Sequence, residues 1–200
     1  MNKLRIAVLL SGGGTNLQSI IDAVKSGALN ADIALVLSNK PDAFGLERAR
    51  RAGIPTATIK SKDFDLRDKF IEAFEGLLSS HNVNFIALAG YLRKIPPEII
   101  EKYRGRIINI HPGPLPQFGG KGMFGIHVHE AVIAAGLKKT CVTIHHVTQG
   151  YDEGSIIATR DVSIFPNDTP QSLQARVLKI EHELYPEVLA RFADGLDHRE

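Results

Sequence analysis

Strand-like and helix-like stretches alternate five times between Leu4 and Ala135, and few architectures accommodate that order. Apolar runs at residues 4–10, 31–38, 54–59, 83–89 and 106–110 lack polar alternation and read as strands buried on both faces. Between them, segments 16–25, 43–52, 64–80, 97–103 and 126–135 carry helical spacing, and Gly27, Gly53 and Gly136 stop three of them. Pro55 places the third strand near a sheet edge. Strands joined through helices pair in parallel with right-handed crossovers, which predicts an α/β, Rossmann-like, doubly wound fold with a mainly parallel sheet. Two further strands, 140–147 and 155–164, are separated only by a loop and predict an antiparallel pair on the C-terminal side. Thr169 before Pro170 suits an N-cap for a closing helix that runs to about Asp194. No repeat, low-complexity tract or linker interrupts the pattern, so residues 1–200 are expected to form a single domain.

Bulk properties narrow the function. A net charge of +2 without a basic block argues against a nucleic-acid surface. The lone Cys141 excludes an intramolecular disulfide framework and a multi-cysteine zinc site. No apolar stretch approaches the ~20 residues that span a bilayer. The apolar run of the first ten residues feeds a glycine turn rather than a cleavage site, so a cytoplasmic location without membrane contact is expected.

The segment Arg106-Ile-Ile-Asn-Ile-His-Pro-Gly-Pro-Leu-Pro116 supplies the candidate chemistry. Prolines at 112, 114 and 116 cannot join a ladder, so the strand stops at about His111. Alternation then points Asn109 and His111 to the same side at the carboxyl edge of a parallel sheet, where open α/β folds bind ligands. Asp152 sits in Gln149-Gly-Tyr-Asp-Glu-Gly154. If the fold brings it beside His111, its carboxylate favours imidazolium, raises the histidine pKa and fixes the ring. Imidazolium and amide could then donate to an oxyanion forming on a carbonyl, as acyl or formyl transfer to an amine requires. Gly-x-Ser-x-Gly is absent and Cys141 lies in a strand, which favours direct transfer over a covalent enzyme intermediate. The residues alone leave a second reading open, in which Asn109 and His111 only satisfy backbone groups in the proline turn.

Ser11-Gly-Gly-Gly-Thr-Asn16 joins the first strand to the first helix. Glycines admit a ligand close to the backbone, and free amides at a helix start attract an anion. Leu17 stands where the dinucleotide fingerprint needs its third glycine, and Ser38 and Asn39 stand where a ribose-binding acid is expected. Gly120-Lys121-Gly122 fails the Gly-Lys-Ser/Thr of a P-loop. The loop therefore suggests one phosphate rather than NAD or ATP.

Asn109-Ile-His-Pro-Gly-Pro-Leu-Pro116, Ser11-Gly-Gly-Gly-Thr-Asn16, Asp152, Asn39-Lys-Pro-Asp-Ala-Phe-Gly-Leu-Glu-Arg-Ala-Arg50 and Ala87-Leu-Ala-Gly-Tyr-Leu-Arg93 together resemble the folate-dependent formyltransferases, from about residue 4 to residue 193. The resemblance implies the formyltransferase fold and the carriage of a formyl group from 10-formyltetrahydrofolate, a cosubstrate, to the glycinamide amine of a ribose phosphate. It also implies no metal, and small-molecule partners for a monomer or homodimer. By it, Asn109, His111 and Asp152 are the catalytic trio, with His111 the proton donor. Gly13, Gly14, Thr15 and Asn16 match the loop that holds the substrate phosphate, and Glu181 matches the acid that holds the glycinamide part. Leu92, Arg93, Lys94 and Ile95 match the folate-pterin segment, with Asn109 beside it and the loop 149–154 lining the same pocket. Arg67 matches a folate-side residue, and His145 a position just behind the catalytic pocket. Two departures stand out: Gly13 replaces a frequent Asn, and the loop 117–125 is longer than in many relatives and suits a substrate-side lid.

Read as residues alone, Glu181 is an exposed helix acid and Arg67 a solvated helix charge. His127 and His129 are two apart on a helix and make a poor metal pair. His146 and His182 read as packing residues. Rivals remain: a formyltetrahydrofolate hydrolase would be expected to add an N-terminal regulatory domain, and a tRNA formyltransferase a C-terminal nucleic-acid module. A phosphate-binding regulatory module without chemistry would need the glycine loop but not Asn109, His111 and Asp152.

Overall fold

The computed structural model describes residues 3–195; residues 1–2 and 196–200 of the expected domain lie outside the described residues. The elements run β1 (Leu4–Leu10), α1 (Thr15–Ser26), β2 (Ala31–Ser38), α2 (Phe44–Arg51), β3 (Thr56–Thr58), α3 (Arg67–Ser80), β4 (Phe85–Leu88), α4 (Pro97–Lys102), β5 (Ile107–His111), α5 (Ile126–Ala134), β6 (Lys139–His146), β7 (Ile156–Ser163) and α6 (Pro170–Ala193). The sheet order is β3-β2-β1-β4-β5-β6-β7. From β1 the chain winds through β2 to β3 on one side, then returns to build β4 and β5 on the other. The winding direction reverses between β1 and β4, and open α/β sheets bind ligands at that switch point.

The third strand is shorter than its apolar run. Only Thr56–Thr58 pairs with β2, because Pro55 has no N–H to give and serves as an acceptor for Val36. The third helix also starts late. Phe64 and Leu66 are extended, and Phe64 instead stacks edge-on against Phe70 at 5.7 Å. The antiparallel part is larger than the expected pair, since β6 runs antiparallel to β5 as well as to β7. The excursion from His111 to Lys139 comes back to the edge it left, so β6 must descend the sheet in the opposite sense.

Alternation along β1 builds two cores. Ile6, Val8 and Leu10 face the side packed by α1, α2, α5 and α6, while Ala7 and Leu9 face Phe74 of α3 and Ile99 of α4. Helix α6 starts in a capping box, in which the Thr169 hydroxyl accepts from Ser172 N–H and the Ser172 side chain from Thr169 N–H. It is tied to the sheet by the buried Tyr185 hydroxyl, which donates to the Leu88 carbonyl at 2.9 Å. No helix among the described residues is long and apolar enough to cross a membrane.

Candidate active site

A cavity of about 770 Å³ opens at the switch point, over the carboxyl ends of β1, β4 and β5. It brings together Gly13, Gly14, Thr15 and Asn16 from the first turn, Leu92 after β4, Asn109 and His111 on β5, Asp152, and Glu181 on α6. A smaller chamber shares Asn109 and Asp152 as walls and adds Arg93, Lys94, Ile95 and His145. Lys94 donates to the Gln149 carbonyl at 3.1 Å and lies over the Tyr151 ring, which ties the 92–95 segment to the loop carrying Asp152. Arg67 lines neither space. Its guanidinium is held in an exposed bidentate pair by Glu98 at 2.7 and 2.9 Å. A separate cleft at the opposite ends of the strands holds Lys3, Arg5 and Asp32, which pair with one another.

The glycine loop has the form an anion needs. Gly14 takes φ 70° at the N-cap of α1 and offers no side chain to the first helical amides. A Cβ on Gly12 or Gly13 would meet nothing within 4 Å, whereas one on Gly14 would lie 2.5 Å from the Gly45 Cα. Gly14 is therefore a glycine because its backbone touches that of Gly45, a Cβ on Gly45 would run into the Leu10 side chain, and Gly12 and Gly13 leave open space beside the amides. Buried Ser11 locks the turn in place by donating to Asn39 Oδ1 at 2.5 Å and accepting from Leu92 N–H at 2.9 Å. Behind the loop, Asn16 donates to Glu181 Oε2 at 2.6 Å. Burial pushes the Glu181 carboxyl above its ordinary range, partly offset by that hydrogen bond.

On β5, Asn109 and His111 do share a side, and the loop 148–154 doubles back to bring Asp152 to them. Asp152 adopts φ 58°, a left-handed conformation uncommon outside glycine, in the turn that faces His111. One carboxylate oxygen accepts from Gly120 N–H at 2.9 Å and lies 3.8 Å from His111 Nδ1. The other lies 3.5 Å from both Asn109 Nδ2 and His145 Nε2. Burial alone would raise the Asp152 carboxyl, but hydrogen bonding from His145 and the Gly120 N–H, with the His111 and His145 rings close by to favour the anion, holds it below its usual value.

Burial decides the net direction of the His111 pKa, although Asp152 pulls it upward, as expected. The ring is 3% exposed, and desolvation pushes it below the ordinary histidine value. Asp152 and the Phe118 carbonyl pull the other way without overcoming it. His111 is thus neutral in this cavity at neutral pH, its Nε2–H donating to Phe118 O at 2.8 Å. Asn109 is engaged too. His145 Nδ1 donates to the His146 carbonyl at 2.8 Å, and Asn109 Nδ2 lies 3.1 Å from His145 Nε2 and 3.5 Å from the Asp152 carboxylate. Both donors expected to face an oxyanion are held by protein acceptors, and a ligand must compete for them.

Two residues at or beside the cavity were hidden from sequence reasoning. Ser11 reads in the sequence as part of a turn, and only the structure shows it tying the start of the glycine loop to Asn39 after β2 and to Leu92 after β4. His129 seemed half of a poor metal pair, yet it lines the cavity and is 2% exposed. Burial pushes it down to about 4, and His111 adds to the shift. No group of three or more His, Cys, Asp or Glu among the described residues is placed to hold a metal ion.

This geometry has counterparts in known proteins. The formyl transferase family model matches residues 4–189. The chain is 41% identical over 191 residues to the chloroplastic phosphoribosylglycinamide formyltransferase of Arabidopsis thaliana, covering 95% of this chain and 65% of that protein. It is 40% identical over 191 residues to the phosphoribosylglycinamide formyltransferase of Haemophilus influenzae, covering 96% of this chain and 88% of that one. The crystal structure of the Coxiella burnetii phosphoribosylglycinamide formyltransferase superposes with a TM-score of 0.89 at 42% identity, covering 97% and 89% of the two chains. Cavity, trio and glycine loop thus sit on a scaffold shared over nearly its whole length, and the chain belongs to the formyl transferase family.

Proposed function

We propose that the chain works as a single domain that transfers the formyl group of 10-formyltetrahydrofolate to the amine of 5-phosphoribosylglycinamide, a step of purine biosynthesis. The observation that carries this reading is one cavity holding the uncapped glycine loop and the Asn109–His111–Asp152 cluster together. The relatives named for this activity and the formyl transferase family support it.

In this reading the substrate phosphate rests on the amides of Gly13 to Asn16, and Glu181 holds the glycinamide part. The pterin lies against Leu92 to Ile95, and the formyl carbon reaches Asn109 and His111. The amine nitrogen attacks the formyl carbon, giving a tetrahedral adduct with a negative oxygen. His111 starts neutral and takes the proton that the amine sheds. The imidazolium is then braced by the Asp152 carboxylate and returns that proton to the folate nitrogen as the carbon–nitrogen bond to folate breaks. Asn109 leaves His145 to donate to the oxyanion. Loss of one such donor typically costs roughly 3–4 kcal/mol of barrier.

Cosubstrate consumption with and without the amine tests the reading. The parent protein should turn over folate quickly only when the amine is present, and His111→Ala should lose orders of magnitude. Equal consumption without the amine would reject transfer in favour of hydrolysis, with water in the amine's place.

A further inference from the structure

The cavity carries an unbalanced charge. Its two carboxylates have partners inside the protein, Asp152 at Gly120 N–H and Glu181 at Asn16. Lys121 is the lysine or arginine that lines the same cavity among the described residues, and it has no carboxylate or carbonyl partner among them. It is exposed and flanked by Gly120 and Gly122 at φ 97° and 91°, where nothing lies within 4 Å of a Cβ position. Two glycines in that conformation turn a short loop sharply and present the residue between them.

The other end of this loop is fixed to the chemistry. Phe118 O accepts from His111, Gly120 N–H donates to Asp152, and Gly119 is packed so closely that a Cβ would lie 3.0 Å from the Asp152 Cβ. Across the cavity, the start of α1 offers about half a positive charge, against a phosphate monoester of about −2. The glycine loop alone leaves that ligand undercompensated. An ammonium on a flexible stem, with three donors and no competing partner, suits the remainder.

We infer that Lys121 is the cationic arm that clasps the phosphate of the amine substrate, so that the loop closes over it while Gly120 stays seated on Asp152. The inference rests on the proposed transfer reaction and names a recognition element within it. In this role Lys121 positions the substrate and sets specificity without taking part in bond making.

The test compares Lys121→Gln and Lys121→Arg with the parent on three substrates: 5-phosphoribosylglycinamide, its dephosphorylated counterpart, and 10-formyltetrahydrofolate. Lys121→Gln should raise KM for the phosphorylated amine by about 10-fold or more, the size expected for one charged hydrogen bond. It should leave the dephosphorylated amine and the folate unchanged, and Lys121→Arg should recover most of the loss. An unchanged KM would overturn the inference, as would a rise confined to folate, which would assign the ammonium to the cosubstrate. Equal losses on both amines would also overturn it, because they would indicate loop collapse. Calorimetric binding of ribose 5-phosphate separates this from the activity itself. If the parent formylates no amine, the proposed function fails, while weaker ribose 5-phosphate binding by Lys121→Gln would still uphold the role of Lys121, and equal binding would end it.

Discussion

Substituting alanine at Gly13 and at Gly14 should separate ligand contact from folding at adjacent residues. At Gly14 the chain has φ 70°, and a Cβ would stand 2.5 Å from the Gly45 Cα, which is backbone and cannot swing aside. The left-handed conformation costs a non-glycine residue roughly 1–2 kcal/mol, and forcing atoms into a filled contact adds roughly 1–3 kcal/mol. Gly14→Ala should therefore lose about 2–5 kcal/mol of unfolding free energy. At Gly13 the Cβ meets nothing within 4 Å, so stability should stay within about 0.5 kcal/mol of the parent. That methyl group instead enters the space beside the amides that receive the phosphate in the proposed reaction, and loss of one charged hydrogen bond there would raise KM for the amine by about 10- to 100-fold. Urea unfolding at equilibrium gives the first quantity and steady-state kinetics the second. The reasoning fails if Gly13→Ala unfolds as readily as Gly14→Ala, or if Gly13→Ala binds the amine as well as the parent does.

Further predictions concern titrating groups. His111 lies below its ordinary value of 6.5, and only its neutral form can accept the amine's proton, so kcat/KM should rise with pH through that lowered value. Asp152 pulls the value upward, so Asp152→Asn should move the inflection to lower pH and reduce the rate by about 10²–10⁴-fold. A pH–rate profile with the parent's inflection would show that Asp152 does not tune the ring. Glu181 has a folded value raised above 4.5, so its contribution to stability is fully present below about 4.5 and is lost as pH rises through the folded value. Glu181→Gln, whose amide oxygen can still accept from Asn16, should be the more stable protein at pH 7–8 while transferring formyl more slowly. Urea titrations in which the difference between the two proteins did not grow with pH would contradict this.

Much of the framework was legible because apolar runs and glycine stops carry their own geometry. Val8 and Leu9 are buried on opposite faces, and such a strand has few alternatives to the middle of an α/β sheet. Asn109 and His111 were readable as a pair for the same reason: the prolines end the ladder where alternation has turned both side chains one way. Asp152 was not placeable from composition, because its position depends on a loop that doubles back with φ 58°. Nor was the direction of the His111 shift. A carboxylate partner can be guessed from sequence, but the depth of burial that outweighs it emerges only when Phe118 and its loop fold over the ring. Arg67 illustrates the converse, since its nearest acid, Glu98, lies 31 residues away and holds it outside both cavities. Lys121 was hidden inside a glycine-rich stretch whose path no periodicity sets.

The account's central claim is that the formyl carbon passes directly from folate to amine within one cavity, and oxygen isotopes test it. The reaction is run with 10-formyltetrahydrofolate and 5-phosphoribosylglycinamide in oxygen-18-enriched water, and the product is weighed by mass spectrometry. Direct transfer predicts a formylated amine whose new carbonyl keeps the original oxygen and gains none from solvent. Solvent oxygen in that carbonyl, or labelled formate accumulating in its place, would contradict the claim.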